Sequence, residues 1–567
     1  MTMHRREFLQ AVGASTPAAL PASADAPATA SAGQPPTEPR VLLYDDGRHA
    51  SPLYQYAPPL TPDDFVITVD QLADSGVDTL VYVAGLEGGT QIYDSRVAQT
   101  WGDNVKQWTH PVWYRAGRHL KQLIDDGHDP LELICRRAHQ QNLLLLAGNW
   151  ISLQGADRAT EGGRGRQSDF VFDHPRFEVG PEKDPRARYA HPRRFSFLHQ
   201  AVRDERLAVF EEMLTRYPTD GVEINLTEFV PMCRFDEVDR LSPLLTEWLR
   251  RLRKTADRAA QDQGRAKRIY VRLPTDIPTQ QQLGCDSATW IADGLVDGLV
   301  CMNGIGDAVM TQCWSMEPLK KLVGDSDCRL VAGFNNLLQS QFHRSATQAM
   351  TWAAAANAWN DGADGFAVVD YHWTPNGWPL TAADYQTLRV LGHPELLRFR
   401  DKDYRALRLG RSRNEPIAWP DAMVDALPKP LEEKQPVELT LQIADDLEAA
   451  AKQQKIESVR LRIRITNIEA SLNKVRVELN GKRLPESILS LDDLIYRQQP
   501  LGSFNPYGFV YEYRLPESLW PRRGENRVRV KLVEKDRGID TNFDVSDIDL
   551  VIDYNPQRHL RENPVAY

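Results

Sequence analysis

The sequence predicts a (β/α)8 TIM barrel followed by a C-terminal antiparallel β-sandwich of jelly-roll type. Three observations carry this. Eight short apolar runs alternate with amphipathic segments across residues 40–398. After residue 437 the pattern changes to strict alternation of apolar and charged residues. No Gly-x-Gly-x-x-Gly follows the first apolar run, which weighs against an open doubly wound sheet of the dinucleotide-binding kind.

The apolar runs fall at residues 41–44, 79–83, 143–147, 221–225, 269–273, 298–302, 330–334 and 365–369. Parallel strands covered on both faces read as continuous apolar runs of this kind. Helical patterns lie between them, as at residues 203–217 and 241–261. Two intervals are long, residues 85–142 and 151–194. Loops of that length in a compact domain are usually functional or disordered. Residues 155–194, rich in Gly, Arg, Asp and Pro, are expected to run over one mouth of the barrel. Residues 399–436 carry Pro416, Pro420, Pro428, Pro430 and Pro436 and are expected to form a linker. Residues 437–555 then alternate at period two, as in 459–465 and 526–532, with Asn480-Gly481 as a tight hairpin turn.

Composition narrows the functional classes. The 567 residues are 42% apolar and 26% charged, which is ordinary for a globular protein. No run of about 18 apolar residues occurs, so no membrane span is expected. The net charge is −10, with Lys and Arg scattered, so nucleic acid is not an expected partner. The six cysteines form no Cys-x-x-Cys pair, and neither a metal site nor a cofactor is expected. Arg5-Arg6-Glu7-Phe8-Leu9 precedes an Ala-rich stretch that ends near Ala32. That order predicts a twin-arginine signal over residues 1–32 and a periplasmic or extracellular location.

In a barrel of this type the site lies where strands end. The fourth strand reads Asp220-Gly221-Val222-Glu223-Ile224-Asn225-Leu226-Thr227-Glu228. Period two turns Val222, Ile224 and Leu226 toward the helices and Glu223, Asn225 and Thr227 inward. An inward Glu is costly unless it is functional or bonded. Glu223 is therefore either a catalytic acid or a structural partner of a buried Arg such as Arg272, while Glu228 lies at the mouth. Other strand ends supply Asp45, Asn149, Trp150, Arg272, Asp276, Asn303, Asn335, Asp370, Tyr371, His372 and Trp373. Singly each is weak, because an Asp after a strand is commonly a helix cap. Together they suit a sugar site, in which carboxylates do acid–base or nucleophilic work. Amides there bond hydroxyls, and aromatic faces stack on rings. Glu223, Glu228, Asp276 and Asp370 are the candidate catalytic residues, and the others are candidates for binding substrate. Asp544, Asp547 and Asp549 are read as strand-edge charge, with calcium ligation as the alternative.

The stretch Ala201-Val202-Arg203-Asp204-Glu205-Arg206-Leu207, followed by Tyr217-Pro218-Thr219-Asp220-Gly221-Val222-Glu223-Ile224-Asn225, resembles a known family. This is the family 10 glycosyl-hydrolase-like TIM-barrel proteins exported by planctomycete-type bacteria. The resemblance implies a (β/α)8 fold and action on a polysaccharide or oligosaccharide. Asn225 stands where those relatives usually have Asp, and the seventh strand ends Asn335-Asn336 without a carboxylate. The expected function is an exported glycoside hydrolase. The alternatives are a non-catalytic glycan-binding protein on a decayed barrel, and a polysaccharide lyase using His372, Tyr371 and Arg272.

Overall fold

Eight parallel strands close into a barrel in sequence order. They are β1 (Val41–Asp45), β2 (Thr79–Val83), β3 (Leu144–Trp150), β4 (Gly221–Asn225), β5 (Arg268–Pro274), β6 (Gly298–Met302), β7 (Arg329–Phe334) and β8 (Gly365–Val368). The computed structural model describes residues 36–47, 51–302, 310–336, 338, 346–369, 379–406, 427–493 and 508–555. The expected signal segment and Asn303, Asp370, Tyr371, His372 and Trp373 lie outside the described residues.

Side-chain alternation divides each strand between two apolar layers. Leu42, Tyr44, Val81, Leu146, Tyr270, Val300, Val331 and Ala367 fill the interior. Leu43, Leu80, Leu145, Val222, Ile224 and Val271 pack against the surrounding helices. Each such buried side chain contributes about 1.5–3 kcal/mol by leaving water. Register places Glu223 between Gly148 and Tyr270, and Asn225 between Trp150 and Arg272. β4 begins at a glycine for a steric reason. Gly221 has φ 149°, and a Cβ there would stand 2.1 Å from the Arg268 carbonyl oxygen.

The helix Val238–Gln263 shows how the outer layer is built. Leu241, Leu245, Trp248, Leu249, Leu252, Ala256 and Ala259 form one buried stripe at helical spacing. Gly264, at φ 59°, ends it in the left-handed conformation. The six cysteines are free thiols, five of them buried.

Two antiparallel sheets follow the barrel. One contains β12 (Ile456–Thr466), β15 (Leu489–Asp492), β16 (Gly508–Arg514) and β18 (Asp544–Tyr554). The other contains β11 (Val437–Ile443), β13 (Lys474–Leu479), β14 (Lys482–Arg483) and β17 (Gly524–Glu534). Val459, Leu461, Ile463 and Ile465 point into their shared core. The stretch expected to be a linker is corrected in part. It supplies β9 (Lys402–Arg405) and β10 (Lys429–Pro430), both paired to β18. Strands this short carry too little alternation to be seen in a sequence. Asp547 and Asp549 on β18 pair with Arg405 of β9 at 2.9 and 2.5 Å, so their charge serves the sheet.

Candidate active site

Polar side chains from three strands meet inside the barrel. Glu223 of β4 is fully enclosed and accepts a hydrogen bond from the Tyr44 hydroxyl of β1 at 3.1 Å. The same oxygen lies 3.0 Å from Nε of Arg272 on β5. The Arg272 guanidinium in turn stands 4.9 Å from the centre of the Tyr44 ring. Burial pushes the Glu223 carboxyl above the usual carboxylate range, and the charge of Arg272 pulls it back. Gly148 makes room for this group, since a Cβ there would sit 3.3 Å from Glu223 Oε2. The pairing of Glu223 with Arg272 expected from the sequence is present.

Above this layer, Glu228 is half-buried at the mouth. Its carboxylate accepts from Asn225 Nδ2 at 3.1 Å. Asn225 has no freedom to turn, because its Oδ1 accepts from both the backbone N–H and the hydroxyl of Thr227 at 2.8 Å each. The next residue, Phe229, has φ 54°, a conformation that costs a non-glycine residue about 1–3 kcal/mol and clusters at functional sites. Ser152 of the β3 loop donates to the Glu228 carbonyl at 2.7 Å and helps to hold the turn.

The long excursion after β3 is anchored to this turn. Arg194 is fully buried and donates to the carbonyls of Pro231 at 2.6 Å, Cys233 at 2.9 Å and His191 at 3.0 Å. Its charge is matched by Glu182, whose other oxygen accepts from the Phe235 N–H at 2.8 Å. The helix Gln200–Thr215 braces the loop after β2. Its Glu212 accepts from Tyr93, Ser95 and the Arg96 N–H at 3.1, 2.7 and 2.7 Å. Its Arg206, paired with Glu205, reaches the Trp150 carbonyl at 3.4 Å. Of these, Arg194, Glu182 and Glu212 were not singled out from the sequence. An Arg-Arg pair in a Gly-rich stretch and a charged helix face both read as solvated surface.

The other expected site residues separate. Asp45 shares the helix-facing side with Leu43 and accepts from the Gly47 N–H at 2.9 Å. Burial, with Asp46 beside it, pushes its carboxyl up to about 6. Asn149 also faces outward and donates to Gln91 at 2.9 Å, which secures the β2 loop. Trp150 and Asn335 are buried on the inward-facing positions of β3 and just beyond β7. Asn336 next to it is buried too, and neither amide atom has a hydrogen-bond partner. Asp276 is exposed and caps the helix Ile277–Gln282, accepting from the N–H and hydroxyl of Thr279 at 2.9 and 2.6 Å. Among the described residues no group of three His, Cys, Asp or Glu side chains is placed to hold a metal ion, and no helix is long and apolar enough to cross a membrane.

No family model matches the chain, and no curated protein matches it. Solved structures of similar shape include the PgaB (BpsB) glycoside hydrolase domain from Bordetella bronchiseptica. It is 11% identical with a TM-score of 0.38, and the alignment covers 62% of this chain and 98% of that one. A maltogenic alpha-amylase, AmyB, from Thermotoga neapolitana is 10% identical with a TM-score of 0.35 and coverage of 90% and 98%. The alpha-galactosidase AgaB from Geobacillus stearothermophilus is 12% identical with a TM-score of 0.32. That alignment covers 88% of this chain and spans only 56% of the galactosidase.

Proposed function

We propose that the chain is a glycoside hydrolase that cuts a polysaccharide or oligosaccharide at the C-terminal mouth of the barrel. One observation carries the reading. Glu228 is a half-buried carboxylate at the end of β4, held by a locked amide and followed by a strained turn. That is the end of the barrel where such folds place their chemistry. Glu228 is the proposed acid–base or nucleophilic carboxylate, and Asp370, which follows the eighth strand in sequence, is its proposed partner. Glu223, Arg272 and Tyr44 form the floor beneath Glu228. Trp150, Asn335 and Asn336 supply an aromatic face and amide groups for the sugar. Export through the twin-arginine route rests on Arg5-Arg6-Glu7-Phe8-Leu9.

A second reading, glycan binding without turnover, is favoured by the engagement of Glu223 with Arg272 and of Asp276 with Thr279. Mass spectrometry on a panel of plant, algal and sulfated polysaccharides separates the two. Hydrolysis yields fragments one water heavier than the residues cut, and Glu228→Gln abolishes them. Binding with no product from the wild-type protein gives the second reading.

A further inference from the structure

A cleft of about 280 Å³ lies between the loops that follow β2 and β3, beside the barrel mouth. Its floor is Glu87 and Gln167, both buried, and its rim is Asp157 and Thr160, both exposed. Ligand pockets begin at about 300 Å³, so the space suits one ring-sized unit. Two polar atoms there are unsatisfied. Gln167 Oε1 and Arg166 Nε are buried with no hydrogen-bond partner, although Gln167 is 3% exposed. Such an atom is costly to leave unmade, and a ligand hydroxyl, which both donates and accepts, suits either kind once the side chain turns toward the cleft.

Charge decides the class of ligand. Each arginine of the lining already has a carboxylate: Arg164 with Glu161 at 2.8 Å, Arg166 with Glu87, and Arg193 with Glu178 at 2.8 Å and Asp157 at 3.0 Å. His191, whose ring is held neutral chiefly by burial and then by Arg193 and Arg194, adds no net positive charge near pH 7. The lining itself carries three of each charge, Glu87, Asp157 and Glu161 against Arg164, Arg166 and Arg193, and Glu178 behind Arg193 leaves no positive surplus to draw an anion. His191 also connects it to the mouth, because its ring packs edge-on to Phe229, 5.9 Å away, next to Glu228.

We infer that this cleft is a subsite for a neutral sugar unit, reached by a glycan chain that extends from the mouth past His191 and Phe229. The inference rests on the glycoside-hydrolase reading for its ligand class but not for its measurement. The test is calorimetric titration of the full chain with cellohexaose, xylohexaose, maltohexaose and hexagalacturonate. Two variants accompany it, Gln167→Ala on the floor and Thr160→Trp on the exposed rim, where a ring blocks entry without disturbing the core. A neutral hexaose is expected to bind the wild-type protein. Each variant should weaken it about tenfold, the worth of one polar contact of roughly 1.4 kcal/mol. If the neutral hexaose is also cut, its KM should rise by the same factor while kcat and the cleavage of a disaccharide stay unchanged. Binding sensitive to both variants without any hydrolysis keeps the subsite and removes the hydrolase. No binding of a neutral hexaose, equal binding to Thr160→Trp, or preference for hexagalacturonate overturns the subsite.

Discussion

Asn225 does at the mouth what a carboxylate there would not. Its oxygen is saturated by Thr227, so its amide N–H is forced toward Glu228 and favours the charged form of that acid. An Asp in its place would set two carboxylates against each other. Asn225→Asp is therefore expected to raise the pH at which Glu228 ionises. Carbon-13 NMR titration of the Glu228 carboxyl checks this without needing a substrate, and an unmoved titration rejects it. The enclosed pair beneath behaves differently. Arg272→Met strands a fully buried carboxylate and should cost about 3–5 kcal/mol in urea unfolding. Glu223→Gln in the same chain should restore most of that, since a neutral amide no longer needs the guanidinium. The inward direction of Glu223 and its neighbour Arg272 were legible, because period two and adjacency within a parallel sheet fix both. Tyr44 was not, because it reaches Glu223 from the opposite side of the closed barrel, and closure leaves no local mark on a sequence.

At the scale of elements, the strands were readable and their loops were not. Eight apolar runs gave eight barrel strands. The excursion across residues 155–194 looked like solvated surface, yet Arg194 buries its charge there to hold the β4 turn. Arg194→Lys keeps the charge and loses the planar fork that serves three carbonyls. It should speed amide hydrogen exchange across residues 229–235 and lower kcat/KM by about tenfold through misplacement of Glu228. Unchanged exchange in that segment would show that the anchor is dispensable. The strand β9 was missed for its brevity, and it carries a group that responds to pH. Burial and then Asp549 push the Asp403 carboxyl up to about 7, against the pull of Arg405, Arg462 and Arg460. The folded chain thus keeps a proton that the unfolded chain releases near 3.8. The contribution to stability is full below the unfolded value and is lost as pH rises through about 7. Asp403→Asn should flatten the fall in Tm between about pH 4 and 7. A parallel fall in the variant would assign the loss to other groups.

The whole molecule depends on one seam between barrel and sandwich. The helix Gln348–Asn360 precedes β8 in the barrel, yet its Ala353 belongs to the apolar core of the sandwich. Asn357 on the same helix is buried and donates to the carbonyls of Gln312 and Gln442 at 2.8 and 2.9 Å, one on each side of the seam. Gln312 continues the junction, donating to the Asp403 carbonyl at 2.8 Å and accepting from the Arg405 N–H at 2.7 Å. Residues 399–436 read as a linker because prolines and loose patterning look alike whether a segment is free or docked. The buried amides make it a rigid joint with an energetic consequence. Asn357→Ala removes the donor from a buried carbonyl, Gln312, at about 1–3 kcal/mol, and from the partly buried carbonyl of Gln442. Calorimetry should show one unfolding transition for the wild-type chain, because neither unit melts without exposing the seam. In Asn357→Ala that transition should move down and broaden into two, the sandwich losing the β9 edge that Gln312 secures. Two transitions already present in the wild-type protein would mean that the seam transmits no stability between the units, and the sandwich would then be a passenger on the barrel.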